Sequence, residues 1–388
     1  MFLKTKQIKY TLWFLVLLFA MPVVGIQAQE YTPSEERSDF LMRRKSIMAG
    51  NRLRSTYINA GHAGKWDGGN VDELMFEFPA NTDRRYMYFA TVVIGAEIRD
   101  QASPDDNPRF FPIVNVANGK QDRAGNSWTV NPITGYARMD SDEIARSDRG
   151  PSSSLGNTWP DFWPDKQADG GDGWAGSWNG FFGRDQFNAD IEFYYKAGDD
   201  LYTRYNGETR TLDKYQPDET DPSRGGLAMI LDGRILAWSQ TLVNSTHFNI
   251  YEIKNDASFD YDKVAFGIWI ADLVAENASN DIPQFDILQA IAYLTDADRN
   301  LPPPSVDFGG PIGEMGLKFL ETPGNSTDGI DNDGDSDTYN GQGGNAGIYF
   351  LAKNKDLYRN QISNFGGFYT LPALIDSVIP PFRITDFQ

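Results

Sequence analysis

Short runs rich in aromatic and β-branched residues, cut at close intervals by Gly, Pro, Asn and Asp, set the limits on what this 388-residue chain can fold into. Val264, Phe266, Ile268 and Ile270 alternate with Ala265, Gly267, Trp269 and Ala271, the period-two pattern of a strand with one demanding face and one mixed face. Residues 74–78, 86–98, 111–116, 227–238 and 247–253 have the same character and read as strands. Asp232-Gly233 separates two apolar halves of the 227–238 run and predicts a hairpin turn there. Residues 316–320 read as one more strand. A single helix-like patch, residues 34–48, places Leu41, Met42, Ile47 and Met48 among charges. Successive hairpins without intervening long helices predict a mainly β fold, an antiparallel β-sandwich with long loops.

The first residues have the form of an export signal. Lys4, Lys6 and Lys9 precede an apolar stretch from 12 to 26, and Gln27-Ala28-Gln29 offers a cleavage point after Ala28. That stretch falls short of the ~20 apolar residues of a membrane-spanning helix, and no later segment is apolar enough to span. The organisation read from these signals is a signal peptide at 1–28, a helical lead-in at 29–50 and a β-rich domain at 51–300. A linker strand and acidic loop follow at 301–345, and a C-terminal segment at 346–388.

Charge and composition exclude several classes of function. Removal of 1–28 takes three Lys and no acid, moving the net charge from −19 to −22; such a surface repels nucleic acid and anionic membranes. Cys is absent, which removes disulfides and thiolate metal sites from a chain bound for an oxidising compartment. Only His62 and His247 are present, too few for a zinc site of two or three His with a recognisable motif, and no nucleophile elbow or phosphate-binding loop occurs.

Asp328, Asp331, Asp333, Asp335 and Asp337 place five carboxylates in ten residues, with Gly334 among them. Alternating oxygen donors around a Gly turn suit Ca²⁺, which takes 6 to 8 oxygens. Ser336 and Gln342 stand where an EF-hand wants Gly and a bidentate Glu, so the expected loop is a structural staple outside a helix-loop-helix frame; the plain alternative is a solvated acidic linker. Asp296, Asp298 and Asn300 form a second candidate triplet, which Asx capping of a turn also explains.

Trp159, Trp163, Trp174 and Trp178 fall within twenty residues, interleaved with Asp161, Asp165, Asp169 and Asp172. Exposed indoles beside carboxylates hold sugar rings; the plain alternative is a small core for a long loop. A carboxylate pair of the kind used in glycoside hydrolysis is best placed at Asp190 and Glu192, at alternate positions beside the Trp region.

The acidic run resembles the calcium loops of thrombospondin type 3 repeats. Read together, "YINAGHAGK" within 51–65, "NTWPDFWPD" and "GSWNGFFG" within 157–188, and "KFLETPGNSTDGIDNDGD" within 317–335 are similar to the N-terminal part of large, uncharacterised secreted proteins of environmental bacteria. That resemblance implies no particular activity and leaves open that this chain is the N-terminal portion of a longer protein. The resulting expectation is a secreted calcium-binding structural, surface or matrix protein that binds polysaccharide or cell-surface protein. The alternative is a carbohydrate-binding module or carboxylate-pair glycoside hydrolase using 159–178.

Overall fold

The alternation at 264–271 forms a strand at the edge of a seven-stranded sheet, the largest of five among the described residues. In the computed structural model the described residues are 37–320, apart from 66–71, 101–102, 118–128, 168–170, 202–215, 222–223, 262, 276–277, 287–288, 290 and 302–309. The expected calcium loop, with Asp328, Asp331, Asp333, Asp335 and Asp337, lies outside them, as do the signal segment and 346–388.

The strands in chain order begin with β1 (Lys45–Met48), β2 (Ser55–Ile58), β3 (His62–Gly64), β4 (Phe76–Glu77), β5 (Arg85–Arg99) and β6 (Phe110–Val116). Four two-residue strands follow: β7 (Asn131–Pro132), β8 (Ala145–Arg146), β9 (Asn179–Gly180) and β10 (Gly183–Arg184). The long strands β11 (Ile191–Gly198), β12 (Met229–Ala237), β13 (His247–Asn255) and β14 (Val264–Asp272) come next. The last are β15 (Asp281–Asp286), β16 (Ile291–Asp296), β17 (Asn300–Leu301), β18 (Gly310–Pro311) and β19 (Met315–Lys318). All pairings among them are antiparallel.

The 15-residue β5 is the spine of the first sheet, whose order is β1-β2-β3-β5-β14. One edge of β5 pairs with β14 from Ala96 back to Met87; the other takes β4, β3 and β6 in turn. The second sheet runs β13-β12-β11-β7, with β8 also on β11. Tyr57, Val92 and Ile94 of the first sheet and Phe193, Tyr195, Leu231 and Ile235 of the second belong to one buried cluster. The rings of Tyr57 and Phe193 meet edge to face at 6.2 Å across it. The mainly β, antiparallel character expected from the sequence is therefore present.

Two local expectations are corrected. Asp232-Gly233 is not a turn: β12 runs through it, Asp232 pairing with Lys196 and Glu252 and Gly233 with Tyr195 and Tyr251. Gly233 is there for close approach, because a Cβ at this position would run into the Tyr195 ring; its φ is not positive, as a type I′ turn would need. The lead-in, within 37–50, is not helical. It makes one 3-10 turn, Phe40–Met42, capped by the Asp39 side chain on the Leu41 N–H at 2.9 Å, and then enters β1. Ser46 and Met48 of β1 are buried while Ile47 is exposed, so period two overrides the helical spacing once β2 supplies an edge to pair with. Among the described residues no helix is long and apolar enough to cross a membrane.

Candidate ligand-binding cleft

Strands β11, β12 and β13 are buried differently on their two faces, and the difference creates the site. Phe193, Tyr195, Leu231 and Ile235 point into the shared core. The opposite face carries cross-strand rows: Tyr194 beside Arg234 and Ile250, then Lys196 beside Asp232 and Glu252. Strand pleating puts Glu192, Tyr194 and Lys196 on this one face.

A long loop covers part of that face with its own aromatic core. Trp159, Trp163 and Trp178 are 7%, 1% and 0% exposed and form a cluster with Ile133, Tyr136, Tyr194 and Ile230. Each indole N–H has an acceptor: the Arg146 carbonyl for Trp159 at 2.8 Å, the Ser177 carbonyl for Trp163 at 2.9 Å, and Glu192 Oε2 for Trp178 at 3.1 Å. These three Trp are thus core, as the burial of so much apolar area favours, and present no stacking face to a sugar. Trp174 differs. It is partly exposed, with the Lys166 ammonium 5.0 Å from its ring centre.

Where the cover stops, a polar cleft of about 220 Å³ opens, lined by Asp165, Lys166, Trp174, Phe181, Arg234 and Glu252, with Tyr194 and Asp232 at its floor. Arg234 is held rigidly. Its Nη1 donates to Glu192 Oε1 at 2.6 Å and to the Asn179 carbonyl at 2.7 Å, and its guanidinium lies 3.7 Å from the Tyr194 ring centre. Glu192 Oε1 also accepts the Phe181 N–H at 3.0 Å, so one buried carboxylate ties both strands to the loop. Tyr194 donates its hydroxyl to Asp232 Oδ2 at 3.1 Å. Burial raises the Asp232 carboxyl above its usual range against the lowering by Lys196 and Arg234, and burial, then Asp232, raises the Tyr194 hydroxyl. Asp165 accepts from Asn179 Nδ2 at 3.2 Å and pairs with Lys166 at 3.0 Å.

The other sequence candidates lie elsewhere. Asp190 is exposed and accepts the Ser239 N–H, while Glu192 is buried beneath the cleft; neither lines it. Asp296 is a turn cap: its Oδ1 accepts the N–H of Asp298 at 3.0 Å and of Arg299 at 2.8 Å. Asp298 is exposed and Asn300 opens β17. Among the described residues no three His, Cys, Asp or Glu side chains gather to hold a metal. His62 is buried, which lowers its pKa to about 3. His247 bridges the Tyr57 hydroxyl at 3.1 Å and the Leu53 carbonyl at 2.9 Å, and burial lowers its pKa to about 4.

A turn at Asp232-Gly233 would remove Asp232 and Arg234 from a shared strand face, and Glu252 on β13 joins them only through strand pairing. Read as one strand, 229–237 places Asp232 and Arg234 on the face opposite Leu231 and Ile235; two charges at alternate positions in an otherwise apolar run are the signal that finds the cleft. No family model matches this chain, nor does any curated protein or solved structure.

Proposed function

We propose that this chain is an exported surface or matrix protein that binds a saccharide, or a ligand of the same polyhydroxylated chemistry, in the Arg234 cleft. The observation that carries this reading is the composition of the cleft: the partly exposed Trp174 and the exposed Phe181 beside Asp165, Asp232, Glu252, Lys166 and Arg234. Aromatic faces take the apolar side of a sugar ring, while clustered acceptors and donors meet hydroxyls that both donate and accept hydrogen bonds. The fixed Arg234 and the buried Glu192 preorganise the walls, lowering the entropy lost on binding.

A β-sandwich, export and a Ca²⁺ staple belong to the same proposal. The core shared by the two large sheets favours a β-sandwich. The apolar stretch at 12–26 favours export, and Asp328, Asp331, Asp333, Asp335 and Asp337 favour a Ca²⁺ staple in a chain without Cys. A glycan screen by tryptophan fluorescence and titration calorimetry, run with Ca²⁺ and with chelator, tests it. Saturable binding abolished by Trp174→Ala supports the reading; a panel of neutral and acidic glycans that leaves fluorescence and heat unchanged overturns it.

A further inference from the structure

The polar cleft does not end at β13. Phe181, Ile250 and Glu252 line it and also line a second, much larger groove of about 1790 Å³. From the outer face of the second sheet this groove passes around β13, taking in Phe182 and Trp238, and reaches the inner side, where Tyr251, Ile253, Phe266 and Ile268 line it. The topology explains the opening. β13 and β14 are the end strands of their sheets, and Tyr251 of one meets Phe266 of the other at 5.9 Å between ring centres. Tyr251, Ile253, Val264, Phe266 and Ile268 pack against the core yet remain only partly buried. Phe182 is 60% exposed and stands edge to face with Phe181, their ring centres 5.0 Å apart.

Partly exposed apolar side chains gathered along one groove mark a binding surface, and the groove adjoins the cleft at Phe181, Ile250 and Glu252. Continuity with the polar cleft restricts what can occupy it. We propose that the two form one site for an amphiphile, a polyhydroxylated headgroup in the Arg234 cleft carrying a hydrocarbon chain that passes Phe181 and Phe182 into the groove between β13 and β14. This rests on the saccharide reading of the cleft and extends it to glycolipid-like ligands. The lining alternates along β13: Ile250 and Glu252 border both the cleft and the groove, while Tyr251 and Ile253 line only the groove. A free sugar leaves the groove unused, and a simple lipid leaves Arg234, Asp232 and Asp165 without a ligand to meet.

The test is a series of alkyl glucosides and maltosides with hexyl to dodecyl chains, held below micelle formation, against free glucose, free maltose and dodecanol. Binding to the whole chain is read by calorimetry and tryptophan fluorescence. Affinity is expected to rise about two- to fourfold per added methylene, with dodecyl glycosides binding more tightly than dodecanol. Ile268→Ala, which lines the groove and not the cleft, is expected to weaken dodecyl glycosides at least threefold and leave the free sugars unchanged. Affinity independent of chain length in the unsubstituted protein overturns the amphiphile proposal and leaves the saccharide reading standing. Dodecanol binding as tightly as its glycosides overturns the proposal along with any headgroup role for the cleft, and absence of binding throughout overturns both.

Discussion

Arg234 on β12 and Glu192 on β11 form a buried ion pair at 2.6 Å, with side chains 10% and 3% exposed, and the same carboxylate holds the loop N–H of Phe181. Two charges removed from water are stable here because each has further hydrogen bonds. Removing one leaves the other buried and uncompensated. Arg234→Met or Glu192→Leu alone is expected to lower unfolding free energy by about 3–5 kcal/mol, and the double variant by clearly less than the sum. Urea unfolding of the four proteins measures this coupling.

The four Trp of the loop divide by burial. Trp163→Ala is expected to cost about 3–5 kcal/mol, since the indole fills a cluster with Trp178 and Tyr194 at ring distances of 5.6 and 5.5 Å. Trp174→Ala, whose ring is only partly buried against the same cluster, is expected to cost clearly less than Trp163→Ala while removing saccharide binding. Equal destabilisation by the two would place Trp174 in the core and remove it from the cleft's function.

Asp199, the residue after β11, gives a pH dependence whose sign follows from its burial. Burial raises its carboxyl to about 7, against the lowering by the N–H groups of Leu227 and Met229 that it accepts at 2.7 and 2.9 Å. The unfolded chain has the ordinary value near ~3.9, so between these limits the folded state binds the extra proton. Its stabilising contribution is complete below about pH 4 and is lost as pH rises through 7. Thermal unfolding of Asp199→Asn is expected to show a smaller loss of stability between pH 5 and pH 8 than the unsubstituted chain.

His247 acts in the opposite sense. Burial lowers its pKa to about 4, so the unfolded state takes up the proton first, and the contribution present above ~6.5 is lost as pH falls towards 4. His247→Gln is expected to flatten the fall in melting temperature between pH 6.5 and 4.5. An unchanged slope would mean that the ring is protonated in the folded protein.

Gly233 tests the reading of β12 as an unbroken strand. Gly233→Ala puts a methyl against the Tyr195 ring and is expected to cost about 1–3 kcal/mol by overpacking. Tyr195→Leu in the same chain is expected to recover part of that loss, which a variant at a solvent-exposed turn would not show.

Calcium dependence tests the acidic run directly. Saturating Ca²⁺ is expected to raise unfolding free energy by about 2–3 kcal/mol at a hundredfold excess over Kd, and Asp333→Asn with Asp335→Asn to remove the increase. Identical melting in Ca²⁺ and in chelator would make the run a solvated linker.

The mainly β, antiparallel class of fold was legible in the local periodicity of the sequence. Period-two alternation is a local property of each strand, and it placed β5, β6, β13 and β14 within a few residues of where they lie, because each needs only one apolar face to be recognised. It also held the carboxylate and Trp chemistry of the loop without deciding which Trp is core. Tertiary structure alone decided three things: that Asp232-Gly233 continues a strand, because Tyr195 occupies the space over Gly233; that three indoles turn inward onto Tyr194 and Glu192; and that Arg234, from the middle of a strand, meets a loop 55 residues away in sequence. Each depends on contacts between residues far apart in the chain, which no local periodicity encodes, and the cleft exists only where those contacts stop.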